Sequence, residues 1–154
     1  KEDLKIWNVG RPYLKQPANR KVATLHISNT GKHDATECEA FLEIIEHNIK
    51  QKTSPLHWAD TAYDALSSSM ERITISKLPR RLDVIFTQEN QNLKGCSIAA
   101  PQALATGPQN DQFFMSKGEY KIRVCVKCKN GKETKKIFIV NSPDNWKDLT
   151  IREL

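Results

Sequence analysis

The sequence predicts an all-β fold, an antiparallel β-sandwich of about seven to eight strands with a long central loop insertion, and three stretches predict it. The first runs from Glu119 to Ser142. Its segment Tyr120-Lys121-Ile122-Arg123-Val124-Cys125-Val126-Lys127-Cys128 alternates apolar and polar side chains, the period of a strand with one face in a core and the other in water. Asn130-Gly131 follows, the dipeptide that best tolerates the positive φ angles of a type I′ turn, and Lys135 to Val140 runs back. A two-residue turn sets Lys129 opposite Lys132, Val124 opposite Ile137 and Ile122 opposite Ile139, so four apolar side chains share the buried face. Arg123 then falls opposite Phe138, and Lys127 opposite Thr134, on the outer face, where the guanidinium can cover the ring.

The second stretch spans Arg20 to Ile45. Ala23, Leu25 and Ile27 lie on one face of a strand, and Asn29-Thr30-Gly31-Lys32 turns the chain. From Ala35 to Ile45 the inward positions are Cys38, Ala40, Leu42 and Ile44, with Glu37, Glu39, Phe41 and Glu43 outward. Cys38, Phe41, Leu42 and Ile45 also fit a helical stripe, but the preceding strand and turn favour a strand. The third stretch is Met70 to Ile75 and Arg81 to Phe86, two strands separated by Leu78-Pro79. No strand–helix–strand alternation occurs, which argues against a parallel sheet.

The other elements follow from shorter signals. Leu4 to Val9 reads as a strand with Trp7 under the rim, and Cys96 to Ala100 as another. Glu46 to Ser69 is the longest stretch without a period and holds Leu56-His57-Trp58-Ala59-Asp60. Gln102 to Gln112 reads as a second loop. After Pro143 the tail forms a turn or short helix that tucks Trp146 against the domain.

At 154 residues, with 38% apolar content, residues 1–154 fit one domain with a real core. No run approaches the roughly 18 apolar residues of a membrane helix, and no secretory signal pattern is present. Because the chain begins at Lys1, an anchor or signal upstream of it remains open. The net charge is +6, and basic residues crowd the hairpin: Lys117, Lys121, Arg123, Lys127, Lys129, Lys132, Lys135 and Lys136. Lysines on an outward face keep a sheet soluble and discourage edge pairing. Nucleic acid is the competing partner, although interleaved exposed aromatics are missing.

Four cysteines are too few for a disulfide scaffold in a chain of this length. Cys125 and Cys128 form a Cys-x-x-Cys, but strand geometry puts them on opposite faces, and no second such motif exists. Neither a metal site nor a Cys125–Cys128 bond is expected. Cys38 reads as a small core hydrophobe. Of the four histidines, His26 and His33 lack a partner at ligand spacing. His57 with Asp60 is the one pair that a helical turn could bring together for acid–base work. The plainer account is that Trp58 anchors the loop on the core. No phosphate loop, nucleophile elbow or metal-binding His pair is present, and no catalytic or cofactor-binding residue is expected.

The segment Leu25-His26-Ile27-Ser28-Asn29-Thr30-Gly31-Lys32, with Ala35-Thr36 and the strand to Ile45, resembles prokaryotic immunoglobulin-like sandwich domains, the cell-adhesion-related domains of bacteria and archaea. Ser116-Lys117-Gly118-Glu119-Tyr120 is similar to the entry into their penultimate strand. The chain also resembles soluble domains of archaeal proteins that follow a short membrane helix, which would make Leu4 to Leu14 the first residues beyond the membrane. These resemblances imply topology and no catalytic residue. The expected function is therefore a non-enzymatic interaction or structural module, the soluble part of a membrane-tethered protein, with a protein partner and no cofactor. Its expected interaction surface is Lys121, Arg123, Lys127, Lys129 and Lys136, with Trp58 and His57. The alternatives are a nucleic-acid-binding domain using residues 117–136, and an enzyme centred on His57 and Asp60.

Overall fold

A computed structural model describes residues 4–8, 13–15, 19–45, 53–59, 61, 71–89, 93–129, 131 and 133–154. Two antiparallel sheets make up the fold, as expected of a sandwich. One is seven-stranded and runs β1 (Leu4–Asn8), β3 (Arg20–Asn29), β8 (Arg80–Gln88), β9 (Gly95–Ile98), β10 (Phe114–Ser116), with β2 (Tyr13–Lys15) on β3 and β6 (His57–Trp58) on β8. The other is six-stranded and runs β13 (Thr150–Glu153), β12 (Thr134–Ser142), β11 (Gly118–Lys127), β4 (Ala35–Ile45), β5 (Thr53–Pro55), with β7 (Ile73–Ile75) on β4. The strands are more numerous than expected, because short ones such as β5, β6 and β10 join the long ones foreseen. The presumed loop of Gln102 to Gln112 overlaps a short helix, α1 (Pro101–Thr106), started by a proline at a first-turn position. Among the described residues no helix is long and apolar enough to cross a membrane. The expected position of Trp7 falls on a side chain outside the described residues.

The hairpin forms, but its register is one residue away from the expected one. Val124 lies opposite Lys136, Arg123 opposite Ile137, Ile122 opposite Phe138 and Val126 opposite Thr134. An odd-numbered connection therefore replaces the two-residue turn, and the Gly131 N–H approaches the Cys128 carbonyl at 3.4 Å. Asn130 and Lys132 lie outside the described residues. The physical reason is visible in Ile137-Phe138-Ile139-Val140, which is apolar on both faces, so the pattern alone does not choose a parity. Packing chooses Phe138 and Val140, both fully buried. Val124 is buried as expected. Ile137 is only half-buried and faces outward.

The second sheet's inner face is otherwise the expected one. Cys38, Ala40 and Leu42 from β4 meet Ile122, Val124 and Val126 from β11 in the core. One irregularity matters. The register of β4 against β7 shifts between Ala35 and Cys38, and Glu37 takes a positive φ of 48°. Such a bulge changes the parity of the strand, so Ala35 and Cys38, three residues apart, both point inward.

The stretch Glu46 to Ser69 is no plain loop where it is described. β5 pairs with β4 in the second sheet, the Leu56 N–H still donates to Ala40 O at 3.0 Å, and β6 then joins β8 in the first sheet. The chain thus crosses from one sheet to the other within Thr53–Trp58. Leu56 and Trp58 are buried, so Trp58 does anchor this segment.

Candidate functional site

Three places carry the chemistry expected from the sequence: the His57 corner, the cysteines and the basic face of the second sheet. His57 is put in place by backbone. The register of β3 against β8 passes from Ala23–Ile85 to Thr24–Asp83, which makes Val84 an extra residue in β8. Val84 O accepts from Ala99 N at 2.9 Å, and Ala99 O accepts from His57 N at 3.0 Å. β9 and β6 therefore share one edge of β8, with His57 directly opposite Asp83.

The residue that holds His57 is Glu71. Its carboxylate accepts from His57 Nδ1 at 2.9 Å and from the Trp58 N–H at 2.9 Å. The Thr61 hydroxyl lies 2.8 Å from both Glu71 Oε1 and the Trp58 carbonyl oxygen, and donates to one of them at a time. A carboxylate has no proton to give, so Nδ1 carries the hydrogen. His57 is 1% exposed and Glu71 14%. Asp83 beside them is fully buried and accepts from the Thr24 hydroxyl at 3.0 Å. The expected partner, Asp60, lies outside the described residues. Glu71 escaped sequence analysis because it lies fourteen positions away and was read as part of a strand from Met70, whereas β7 begins at Ile73 and leaves Glu71 free to turn to His57.

Cys38 is not a free core thiol. It is bonded to Cys128, closing a sequence separation of 90 residues. The pairing follows from register: Lys127 lies opposite Glu39, so the next pair along the same two strands is Cys128 and Cys38. Cys128 turns to the core and Cys125 to the other face, in agreement with the strand argument against a Cys125–Cys128 bond. Burial pushes the Cys96 thiol up to about 12 and, with the Glu43 charge adding to it, Cys125 up to about 11. Neither is a nucleophile at neutral pH. Among the described residues no cluster of His, Cys, Asp and Glu could hold a metal ion.

The hairpin cations do not form one uniform stripe. Lys121, Arg123 and Lys127 lie on the second sheet's outer face, and Lys129 sits in the connection. Lys136, opposite Val124, falls on the other parity. Arg123 donates to Glu43 at 3.1 Å, Lys129 pairs with Glu37 at 3.3 Å and Lys136 with Glu153 at 2.8 Å. Arg123 does not cover Phe138, which is in the core. The same outer face also carries apolar groups, of which the alternation placed Phe41 there but put Ile137 and Ile139 on the core side. Phe41, Ile45 and Ile137 are half-buried there, and Cys125 and Ile139 are buried without joining the sandwich core. Trp58 and His57, in the other sheet, are not part of it. No family model matches the chain, and no curated protein or solved structure is significantly similar to it.

Proposed function

We propose that this chain is a non-enzymatic, immunoglobulin-like β-sandwich module that binds a protein partner through the outer face of its second sheet. The observation that carries the reading is the composition of that face. Phe41 and Ile137 stand half-exposed on either side of the Glu43–Arg123 pair, with Lys121 and Lys127 at the margins. An aromatic and an aliphatic side chain flanking a paired arginine, with lysines at the rim, is a mixed surface of the kind that binds proteins. The disulfide supports a workplace in an oxidising compartment, which suits presentation from a membrane tether. Ion pairing of the hairpin cations favours a protein over a polynucleotide, and the burial of His57 favours binding over catalysis.

A photo-crosslinking residue replacing Ile137, in the organism that makes the protein, should give a discrete protein adduct. The same residue at Leu78, which is 76% exposed, should not. Arg123→Glu should remove the adduct at position 137. Equal labelling from both positions, or none from 137, would sink the reading. Tight, salt-sensitive polynucleotide binding lost on changing Lys121, Lys127 and Lys136 to glutamate would replace it.

A further inference from the structure

An open cleft of about 390 Å³ lies at one end of the sandwich, away from the outer sheet face. One wall is Glu89, just past β8, with Leu93 and Lys94 leading into β9. The other is Asp144 and Trp146, at the start of a 3-10 turn (Trp146–Asp148) after β12. That turn is fixed through its backbone. The Thr87 hydroxyl donates to Trp146 O at 2.6 Å, Lys21 Nζ donates to Lys147 O, and Asn145 Oδ1 caps the Lys147 N–H at 3.0 Å. Leu149, just beyond, is buried. None of these contacts uses the indole of Trp146, which stays half-exposed in the cleft wall. The opposite wall is equally set: a Cβ on Gly95, at φ +144°, would lie 2.3 Å from Met115 O, so β10 holds the start of β9 close.

We propose that this cleft binds a carbohydrate, with a pyranose ring stacked on Trp146 and its hydroxyls held by Asp144, Lys94 and Glu89. A sugar ring has an apolar C–H face and a rim of paired donors and acceptors, so it needs a flat aromatic surface beside groups of both kinds. Asp144 supplies acceptors and Lys94, 3.4 Å away, supplies donors. Two vicinal hydroxyls can therefore bind the pair together, one donating and one accepting. The hydrogen bond from Lys117, at 3.0 Å, holds the Asp144 carboxyl below its ordinary value and keeps it an acceptor. Lys147 Nζ stands 5.7 Å from the indole centroid on a flexible stem, and a stacked ring displaces it toward the sugar's edge. The charged side chains lining the cleft are Glu89, Asp144, Lys94 and Lys147, two of each sign. That balance suits a neutral polyol better than a phosphate chain, which the two carboxylates repel.

The test is isothermal titration of the whole chain with maltotriose, cellotriose and chitotriose. At least one should bind with a millimolar or tighter dissociation constant. Trp146→Ala should weaken it at least tenfold, Trp146→Phe much less, and Asp144→Asn several-fold. Trp146→Phe and Asp144→Asn should melt like the parent. Trp146→Ala, which loses a partly buried ring but none of the bonds that fix the turn, should still unfold in one cooperative transition above the titration temperature. Absence of binding by all three sugars would overturn the proposal, as would binding that survives Trp146→Ala. So would preferential, Trp146-dependent binding of oligothymidylate, which would make the cleft a nucleobase platform.

Discussion

The two sheets bury polar and apolar groups in opposite ways. In the second sheet the inner face is hydrocarbon and sulfur, with Leu42, Ile122, Val124 and the Cys38–Cys128 bond, while the charges stay outside in partly exposed pairs. In the first sheet the central strand β8 is buried on both faces, and one of them holds Asp83, with His57 and Thr24 beside it. A one-sided sheet is stabilised by removal of apolar area from water and by its covalent tie. A sheet buried on both sides must also satisfy the polar groups it encloses, because an unmade bond there costs about 1–3 kcal/mol. Among the described buried side chains only the Trp58 indole N–H lacks a partner. The difference separates the parts of the fold that tolerate substitution from those that do not.

Removing the disulfide tests the covalent side of the contrast and carries the largest expected effect. Changing Cys38 and Cys128 together to alanine frees a 90-residue loop in the unfolded chain. The chain-entropy account expects a loss of about 4–5 kcal/mol. Denaturant midpoints of the oxidised, reduced and double-alanine proteins measure it. Cys96 and Cys125 provide an internal control, because thiols raised to about 12 and about 11 should resist alkylation in the folded protein near the ordinary thiol value. Raised folded-state values also set the sign of the alkaline response. Their contribution is intact below 9.0, where thiols are protonated in both states, and is lost as the pH climbs toward 11 and 12. A double-alanine protein as stable as the oxidised parent would show that sheet pairing alone fixes β4 against β11.

The polar side of the contrast rests on Glu71. Glu71→Ala leaves the Trp58 N–H and His57 Nδ1 without their acceptor, in a place where His57 is 1% exposed. A loss of about 2–3 kcal/mol is expected, and roughly half of it for Glu71→Gln, which keeps one acceptor oxygen. Urea unfolding of the pair separates them. An unchanged midpoint in Glu71→Ala would mean that water reaches the corner, and the sealed account of His57 would fail.

What the sequence disclosed follows the same division. Cys38, Ala40, Leu42 and Ile44, then Ile122, Val124 and Val126, were legible because one wet face and one dry face produce a clean alternation. The register of β12 was not, since Ile137-Phe138-Ile139-Val140 is apolar at every position and either parity satisfies the pattern. The Cys38–Cys128 bond depends on β4 lying beside β11, strands far apart in sequence whose adjacency no local signal states. The partner of His57 depends on a chain that changes sheets between Pro55 and His57, which reads as a loop when taken residue by residue. Of the expected surface, Lys121, Arg123 and Lys127 share a face. Of the apolar groups that give this face its character, Phe41 was read outward, as it lies, whereas Ile137 was assigned to the core.

The smallest expected effect lies in the Glu43–Arg123 pair at the centre of that face. The two side chains are 19% and 32% exposed and 3.1 Å apart, between the fully screened and fully buried cases. Exposed pairs contribute little because water and salt weaken their attraction, and buried pairs lose much of theirs to desolvation. Glu43 also lies 3.8 Å from the Cys125 thiol, a weak donor that cannot replace a guanidinium. A double-mutant cycle with Glu43→Gln and Arg123→Met should therefore give a coupling of about 0.5–1 kcal/mol that shrinks as salt is added. If the face binds a partner, the same Arg123 change should weaken binding by more than the cycle takes from folding, because an interface excludes the water that screens the pair in the free chain. Equal losses in folding and binding would mean that the pair merely ties β4 to β11.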